Sequence, residues 1–125
     1  MLRPGDHVPH VSWRMIDGRT ISYADLWQHR NLILVSLPTE SDFAGYADRL
    51  EQDLRPALPA DTALVISHHG VTGLPAPAIL VADKWGEIHY AHAASQPAEM
   101  PDSDALLEWL TYVRMQCPEC QGETK

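Results

Sequence analysis

Residues 32–42 decide the fold: they read Leu32-Ile33-Leu34-Val35-Ser36-Leu37, followed directly by Pro38-Thr39-Glu40-Ser41-Asp42. A nearly uninterrupted apolar run of this length is typical of a strand that is buried on both faces of a sheet. After this run the period of the pattern changes, and apolar residues recur at spacings of four, three and four, at Phe43, Ala47, Leu50 and Leu54. This spacing predicts an amphipathic helix that ends at Pro56.

The flanking sequence predicts the remaining elements from alternating patterns, apolar runs and turn residues. A first hairpin turns at Asp17-Gly18, and two prolines, Pro75 and Pro77, precede the third strand of the sheet. A last helix begins at Asp102 or Ser103, with a core stripe of Leu106, Leu110 and Val113. The other predicted strands are Val11–Met15, Thr20–Ile21, Ala63–Ile66, Ala78–Ala82 and Ile88–His92.

The predicted order is therefore hairpin, strand, helix, strand, hairpin, helix. A strand–helix–strand crossover implies parallel pairing, and the closing hairpin adds antiparallel strands. The chain of 125 residues is long enough for one compact domain and too short for two. We therefore expect an α/β fold, with a central mixed sheet flanked by helices and an N-terminal β-hairpin.

Charge and hydropathy exclude several classes of function. The formal net charge of −8 argues against binding nucleic acid, which needs a basic surface, and against docking on an anionic membrane. No apolar run approaches the roughly 20 residues that cross a bilayer. The start of the chain lacks the apolar core of a secretory signal, so we expect a cytoplasmic protein.

The order of elements, with Pro77 directly before the third sheet strand, resembles the thioredoxin fold. Four segments narrow the resemblance to the redoxin branch, which contains the peroxiredoxins (the alkyl hydroperoxide reductase and thiol-specific antioxidant family) and the bacterial thioredoxin-like reductases. Those segments are Pro4-Gly5-Asp6 with Pro9, Asp17-Gly18-Arg19, Tyr23-Ala24-Asp25-Leu26, and Ile79 to Ile88 with its Asp-x-x-Gly turn. The resemblance implies a redox-associated, antioxidant or oxidoreductase function for residues 1–116, with residues 117–125 as a separate tail.

The departures from that family concern its nucleophile. Peroxiredoxins carry Pro-x-x-x-Thr/Ser-x-x-Cys after the first central strand. Counting from Pro38, this sequence has Asp42 in place of the hydroxyl and Gly45 in place of the thiol. Because glycine has no side chain, Gly45 cannot attack a peroxide. The Trp-Cys-x-x-Cys motif of thioredoxins is absent as well. The resemblance therefore implies a divergent member without a peroxidatic cysteine, acting as a binding or regulatory module.

Both cysteines of the chain, Cys117 and Cys120, lie in the tail sequence Cys-Pro-Glu-Cys. Reactive thiolates are favoured at helix N-termini, whereas this motif follows a helix and is flanked by Glu119 and Glu123. We therefore expect these thiols to have raised pKa values and to attack poorly. Three hypotheses stay open: an idle tail, a zinc site, and a thiol-disulfide redox pair that acts on a protein thiol partner. In the redox pair, Cys117 attacks the partner's disulfide and Cys120 resolves the mixed disulfide.

The zinc hypothesis rests on ligand type and number. Cys-Pro-x-Cys followed by a glycine resembles one zinc knuckle, which supplies two of the four sulfur or nitrogen ligands of a structural site. The remaining ligands would come from histidines or from a second copy of the chain in a homodimer. Cys117 and Cys120 are accordingly candidate metal ligands as well as candidate catalytic residues.

A candidate cleft follows from the predicted sheet. In a thioredoxin-like sheet, the ends of the first two central strands and the start of the third share one edge, where ligands commonly bind. The resemblance further implies a cis peptide at Ala76-Pro77, facing the substrate. The alternative is that the two histidines of this edge simply end a strand in solvent. The predicted cleft residues are Pro38, Thr39, Glu40, Ser41, His68, His69 and Pro77.

Two further pairs have simpler interpretations. His89 and His92 are three apart on a predicted strand, so they should face opposite sides and make a poor pair of metal ligands. Trp109 and Tyr112 lie off the core stripe of the last helix. They are expected either to form a dimer face or to cover the edge of the sheet.

Overall fold

The protein is described here by a computed structural model, which covers residues 1–39, 41–68 and 73–115. Its strands are β1 Ser12–Arg14, β2 Thr20–Ser22, β3 Asn31–Leu37, β4 Thr62–His68, β5 Ala78–Ala82 and β6 Ile88–Ala93. Its α-helices are α1 Ala44–Arg49 and α2 Ser103–Met115. Among the described residues, no helix is both long enough and apolar enough to span a bilayer.

The central sheet has four strands in the order β4-β3-β5-β6. β3 pairs parallel with β4, whereas β3 with β5 and β5 with β6 are antiparallel pairs. β1 and β2 form a separate antiparallel hairpin. These pairings confirm the predicted α/β fold with a mixed sheet and an N-terminal hairpin, and they confirm the parallel crossover.

The two faces of the sheet carry two cores, because successive strand residues point to opposite sides. Leu32 and Leu34 face the side of the N-terminal hairpin, where Trp13 and Tyr23 are buried. The alternate residues of β3 face the side covered by α1 and α2, with Phe43, Tyr46, Leu106 and Val113. β3 is buried on both faces, as its apolar sequence predicts.

The helical segment after β3 has the predicted apolar stripe but not one regular geometry. It begins as a 3₁₀ turn, Ser41–Phe43, continues as α1, widens to a π-helical turn over Leu50–Leu54, and closes with a 3₁₀ turn, Arg55–Ala57. Pro56 lies in that final turn, where its missing N–H cannot make the regular α-helical hydrogen bond. The prediction that the helix stops at Pro56 is therefore correct within one residue.

Both edges of the sheet are partly covered by the N-terminal region. At β4, the Ile16 N–H donates to the Ile66 carbonyl at 2.9 Å. At β6, the Gly5 N–H donates to the Ile88 carbonyl at 2.8 Å, and the Ile88 N–H donates to the Asp6 carbonyl at 2.9 Å. Unpaired strand edges favour aggregation, so these contacts protect the ends of the sheet.

Candidate binding cleft at the edge of the sheet

The ends of β3 and β4 meet the start of β5 at one edge of the sheet. Leu37 is paired with His68, and Ser36 is paired with Ala78. The residues that follow or precede these pairs, Pro38 and Pro77, therefore lie side by side at the carboxyl end of the parallel pair. This arrangement confirms the predicted edge, and the Ala76-Pro77 peptide is cis, as the resemblance implies.

The side chains at this edge, called the Pro77 edge below, differ in exposure. Pro38 is buried, Pro77 is partly buried, and Thr39 and His68 are exposed. The His68 Nδ1 atom lies 3.3 Å from the Leu37 carbonyl oxygen, so an Nδ1–H tautomer donates a hydrogen bond to it. The edge thus presents the partly buried Pro77 ring with an exposed imidazole and an exposed hydroxyl group beside it.

The backbone at the Pro77 edge is only partly paired. The Pro77 carbonyl accepts a hydrogen bond from the Ala94 N–H at 3.0 Å. Within the described residues, the N–H and carbonyl of Ala76 have no backbone partner. These groups are available to a peptide that approaches in an extended conformation.

Several predicted site residues fall outside this description. Ser41 begins a 3₁₀ turn, and only its backbone is described. Glu40, His69, Cys117 and Cys120 lie outside the described residues. Their predicted roles in the cleft, in metal binding or in redox chemistry remain predictions.

Gly45, at the position of the peroxiredoxin thiol, lies in α1 and is exposed. A Cβ atom added there would have the Arg49 Nη1 atom as its nearest neighbour, at 3.9 Å, an ordinary van der Waals separation. A side chain would therefore fit at this position. Packing does not explain why the sequence has a glycine there rather than a thiol.

The last described turn of α2 lies at the other end of the sheet from the Pro77 edge. The Arg114 Nε atom is 3.4 Å from Asp61 Oδ2, and the Asp61 carbonyl accepts a hydrogen bond from the Asn31 N–H. Asp61 and Asn31 stand at the starts of β4 and β3. The chain therefore leaves α2 toward Cys117 about 20 Å from the Pro77 edge, the length of a seven-residue strand.

Asp83 organises the Asp-x-x-Gly turn between β5 and β6. Its Oδ1 atom accepts hydrogen bonds from the Trp85 and Glu87 N–H groups at 2.9 and 3.0 Å. Its Oδ2 atom lies 3.0 Å from His89 Nε2, and the carboxylate is almost fully buried. Within the described part of the chain, Asp83, Glu87 and His89 form a group whose ligand atoms, all within 4.8 Å of one another, are close enough to hold a metal ion.

The prediction that His89 and His92 face opposite sides is wrong. The register between β5 and β6 shifts between Val81 and Ala82, because Val81 pairs with Tyr90 and Ala82 pairs with Ile88. His89 is the extra residue of this bulge, and a bulge breaks the strict alternation of side chains. Its ring lies 6.0 Å from that of Tyr112 on α2, while His92 stacks beside Tyr90. Both imidazoles thus lie on the side of the sheet that α2 covers.

The aromatic residues of α2 cover the face of the edge strand β6. Trp109 stacks on Tyr90 with ring centroids 4.8 Å apart and an interplanar angle of 23°. Tyr112 meets the Trp109 ring nearly at right angles and remains 48% exposed. Trp109 therefore has the second of the two predicted roles, since it covers the sheet. Tyr112 remains largely open to solvent.

Tyr23 and Tyr46 are buried tyrosines, one on each side of the sheet. Burial, with a smaller contribution from Asp83, raises the pKa of Tyr23 to about 12. Burial also raises the pKa of Tyr46, whose hydroxyl donates to the Pro101 carbonyl at 2.6 Å. This bond ties α1 to the segment that leads into α2. Neither phenol ionises near neutral pH, so both act as structural groups there.

The solved structures that are similar to this fold include thioredoxin-like and peroxiredoxin-like proteins. A peroxiredoxin-like protein from Aquifex aeolicus is similar over 90% of this chain and 88% of its own, with a TM-score of 0.63 and 11% identity. A thiol peroxidase from Chromobacterium violaceum is similar over 94% and 90%, with a TM-score of 0.58 and 15% identity. A pneumococcal exposed lipoprotein thioredoxin from Streptococcus pneumoniae is similar over 83% and 99%, with a TM-score of 0.57 and 14% identity.

No protein-family model and no curated protein matches the sequence. At identities of 11–15% the structural likeness shows the thioredoxin-like fold and nothing finer. The predicted fold, with thioredoxin-like and peroxiredoxin-like proteins among its structural neighbours, is confirmed. Function has to be argued from the residues of this chain.

Proposed function

We propose that this chain is a redox-associated binding module, which holds a segment of another protein at the Pro77 edge without thiol chemistry there. The observation that carries the proposal is the composition of that edge. It keeps the cis peptide before Pro77, with Pro38 and His68 beside it, while the sequence has no cysteine before Cys117. Such an edge has a cis-proline and polar side chains that can contact a bound segment, but no thiol nucleophile among its described residues.

The chemistry of the Pro77 edge suits an extended peptide. The backbone N–H and carbonyl of Ala76, which have no backbone partner among the described residues, can donate and accept hydrogen bonds as a strand partner does. The partly buried ring of Pro77 offers apolar contact that costs little side-chain entropy. Exposed His68 and Thr39 can bond to the side chains or carbonyls of the bound segment.

A selection experiment tests this binding function. We expect a displayed library of random linear peptides to enrich sequences that shift the amide NMR signals around Thr39, His68 and Ala76. His68→Ala should weaken those peptides several-fold, because it removes an exposed hydrogen-bonding side chain next to the site. His29→Ala, which removes an exposed histidine elsewhere, is the matched control. Peptides whose signals map away from the Pro77 edge, or no enrichment at all, contradict the proposal.

Activity assays test the second half of the proposal. We expect neither insulin reduction nor hydroperoxide consumption by the purified protein beyond the level of the Cys117→Ser/Cys120→Ser variant. A free thiol in a protein can react slowly without being catalytic, so the comparison with this variant is essential. Multiple turnovers that disappear in the variant would show a thiol enzyme instead.

A thiol-disulfide oxidoreductase that uses Cys117 and Cys120 is the second candidate. It is favoured by the Cys-x-x-Cys spacing and by the exposed end of α2, where Met115 is 70% exposed. Such a dithiol would act on a protein thiol partner from the end of the domain opposite the Pro77 edge. The same position suits a zinc ion shared by a homodimer. In either case the proposed location is the cytoplasm, where thiols stay reduced.

A further inference from the structure

An open groove runs between the N-terminal segment, the start of β6 and α2. It arises because the Gly5–Ile88 and Ile88–Asp6 hydrogen bonds hold the N-terminal segment against β6, beside the helix. Its volume of about 710 Å³ lies in the range of small-molecule sites. Its apolar lining consists of Pro4, Gly5, Ile88, Ala105, Trp109 and Tyr112.

Aromatic rings at right angles form one side of this groove. Tyr112 stands at 83° to Trp109, with centroids 5.7 Å apart, and at 72° to His89, with centroids 6.0 Å apart. One face of Trp109 is occupied by Tyr90. Tyr112, which is 48% exposed and lines the groove, therefore offers aromatic surface to a ligand, and the faces of aromatic rings attract cations.

The charges around the groove are negative. Glu87 and Glu108 line it and are both exposed, and no lysine or arginine is found among the described residues that line it. The His89 ring also lines the groove, and its Nε2 atom lies 3.0 Å from the Oδ2 atom of the buried Asp83 carboxylate. Aromatic rings beside carboxylates favour a positively charged ligand.

We propose that this groove binds a small organic cation, a quaternary ammonium compound, whose methyl groups contact Trp109 and Tyr112 and whose charge lies near Glu108. A second copy of the chain fits the groove less well. It would bury the rings but would also bring its own net charge of −8 against the carboxylates. A neutral apolar ligand would gain from the rings and leave the carboxylates without a partner.

A pair of ligands with the same shape tests the role of charge. Choline and its neutral carbon isostere 3,3-dimethylbutan-1-ol are titrated separately into the full chain, followed by NMR. We expect choline to bind in the millimolar range and at least about fivefold more tightly than the alcohol, with shifts at the Trp109 indole and around Tyr112. Equal affinities, or no choline shifts at these residues up to about 50 mM, overturn the proposal.

Variants test the rings and the carboxylate separately. Tyr112→Leu keeps an apolar side chain at an exposed position and removes the ring, and Glu108→Gln removes one charge with little change in shape. Each should weaken choline binding by about threefold or more, whereas Asp48→Asn, which removes an exposed charge on α1, should not. Unchanged binding in both groove variants overturns the assignment. Tenfold tighter binding of a trimethyllysine peptide than of choline overturns the choice of a free small molecule.

Discussion

An engineered cysteine at Thr39 should form no intramolecular disulfide with Cys117. The test variant is Thr39→Cys with Cys120→Ser, which leaves one thiol at the Pro77 edge and one in the tail. Cys117 is two residues beyond Met115 and can lie at most about 7 Å from it. A disulfide bridges Cα atoms up to about 7 Å apart, so the total reach is about 14 Å.

The required distance is larger than that reach. Met115 ends α2 beside Asn31 and Asp61, and the seven residues of β3 then separate it from the Pro77 edge by about 20 Å. Thr39 lies two residues farther along the chain than the end of β3. Closing the gap would require about one turn of α2 to unwind, with loss of its packing against the sheet.

The assay is mild oxidation at low protein concentration, followed by non-reducing mass spectrometry of the monomer. Asp61→Cys with Cys120→Ser is the positive control, because Asp61 lies beside Arg114 in the last turn of α2. The control variant loses the exposed Arg114–Asp61 ion pair, which contributes at most about 1 kcal/mol to stability, so it should fold. We expect the control to form the intramolecular disulfide at least tenfold faster. Comparable rates in the two variants would refute the separation of the thiols from the cleft.

Gly86→Ala should destabilise the fold by about 2–4 kcal/mol, because Gly86 has a φ of 87° and an added Cβ would lie 2.9 Å from the Tyr23 hydroxyl. Gly45→Ala should instead stabilise it by about 0.5–1 kcal/mol, and urea unfolding measures both changes. Because burial raises the pKa of Tyr23 from 10.0 to about 12, its contribution to stability is complete below about pH 10 and is lost as the pH rises toward 12. Tyr23→Phe should therefore show a shallower loss of stability over this range. If zinc bridges two chains, protein purified without chelator should hold at least about half an equivalent per dimer by elemental analysis, and Cys117→Ser/Cys120→Ser should hold none.

Local patterns predicted much of the fold. The apolar run of β3, the helical spacing from Phe43 to Leu54 and the Asp17-Gly18 turn each act over a few residues, so the sequence shows them directly. The π-helical turn before Pro56 was not predicted, because a helical pattern does not distinguish hydrogen bonds of different length. In the site, the pairing of strand ends brought Pro38, His68 and Pro77 together as expected.

The groove beside α2 was not predicted, and its residues illustrate why. A single bulge at His89 reverses the face expected for that side chain, and alternation in the sequence carries no signal of where a strand gains a residue. Trp109 and Tyr112 lie off the predicted core stripe of α2, but the sequence does not show that their partners are Tyr90 and His89 on β6. The acidic residues Glu87 and Glu108 are the part of the groove that could have suggested a cation site from the sequence. Because the chain has a net charge of −8, two acidic residues far apart in the sequence do not stand out as a site.

The kinds and order of the elements, and the chain positions of both cysteines, can be predicted or read from local sequence, because periodicity, turn chemistry and covalent order are properties of neighbouring residues. Which of these parts meet depends on how the folded chain packs. Strand register brought Pro77 to the end of β3, and the path of α2 carried the chain leading to Cys117 to the opposite end of the sheet. Register and helix direction result from packing between segments far apart in the chain, which no local pattern records.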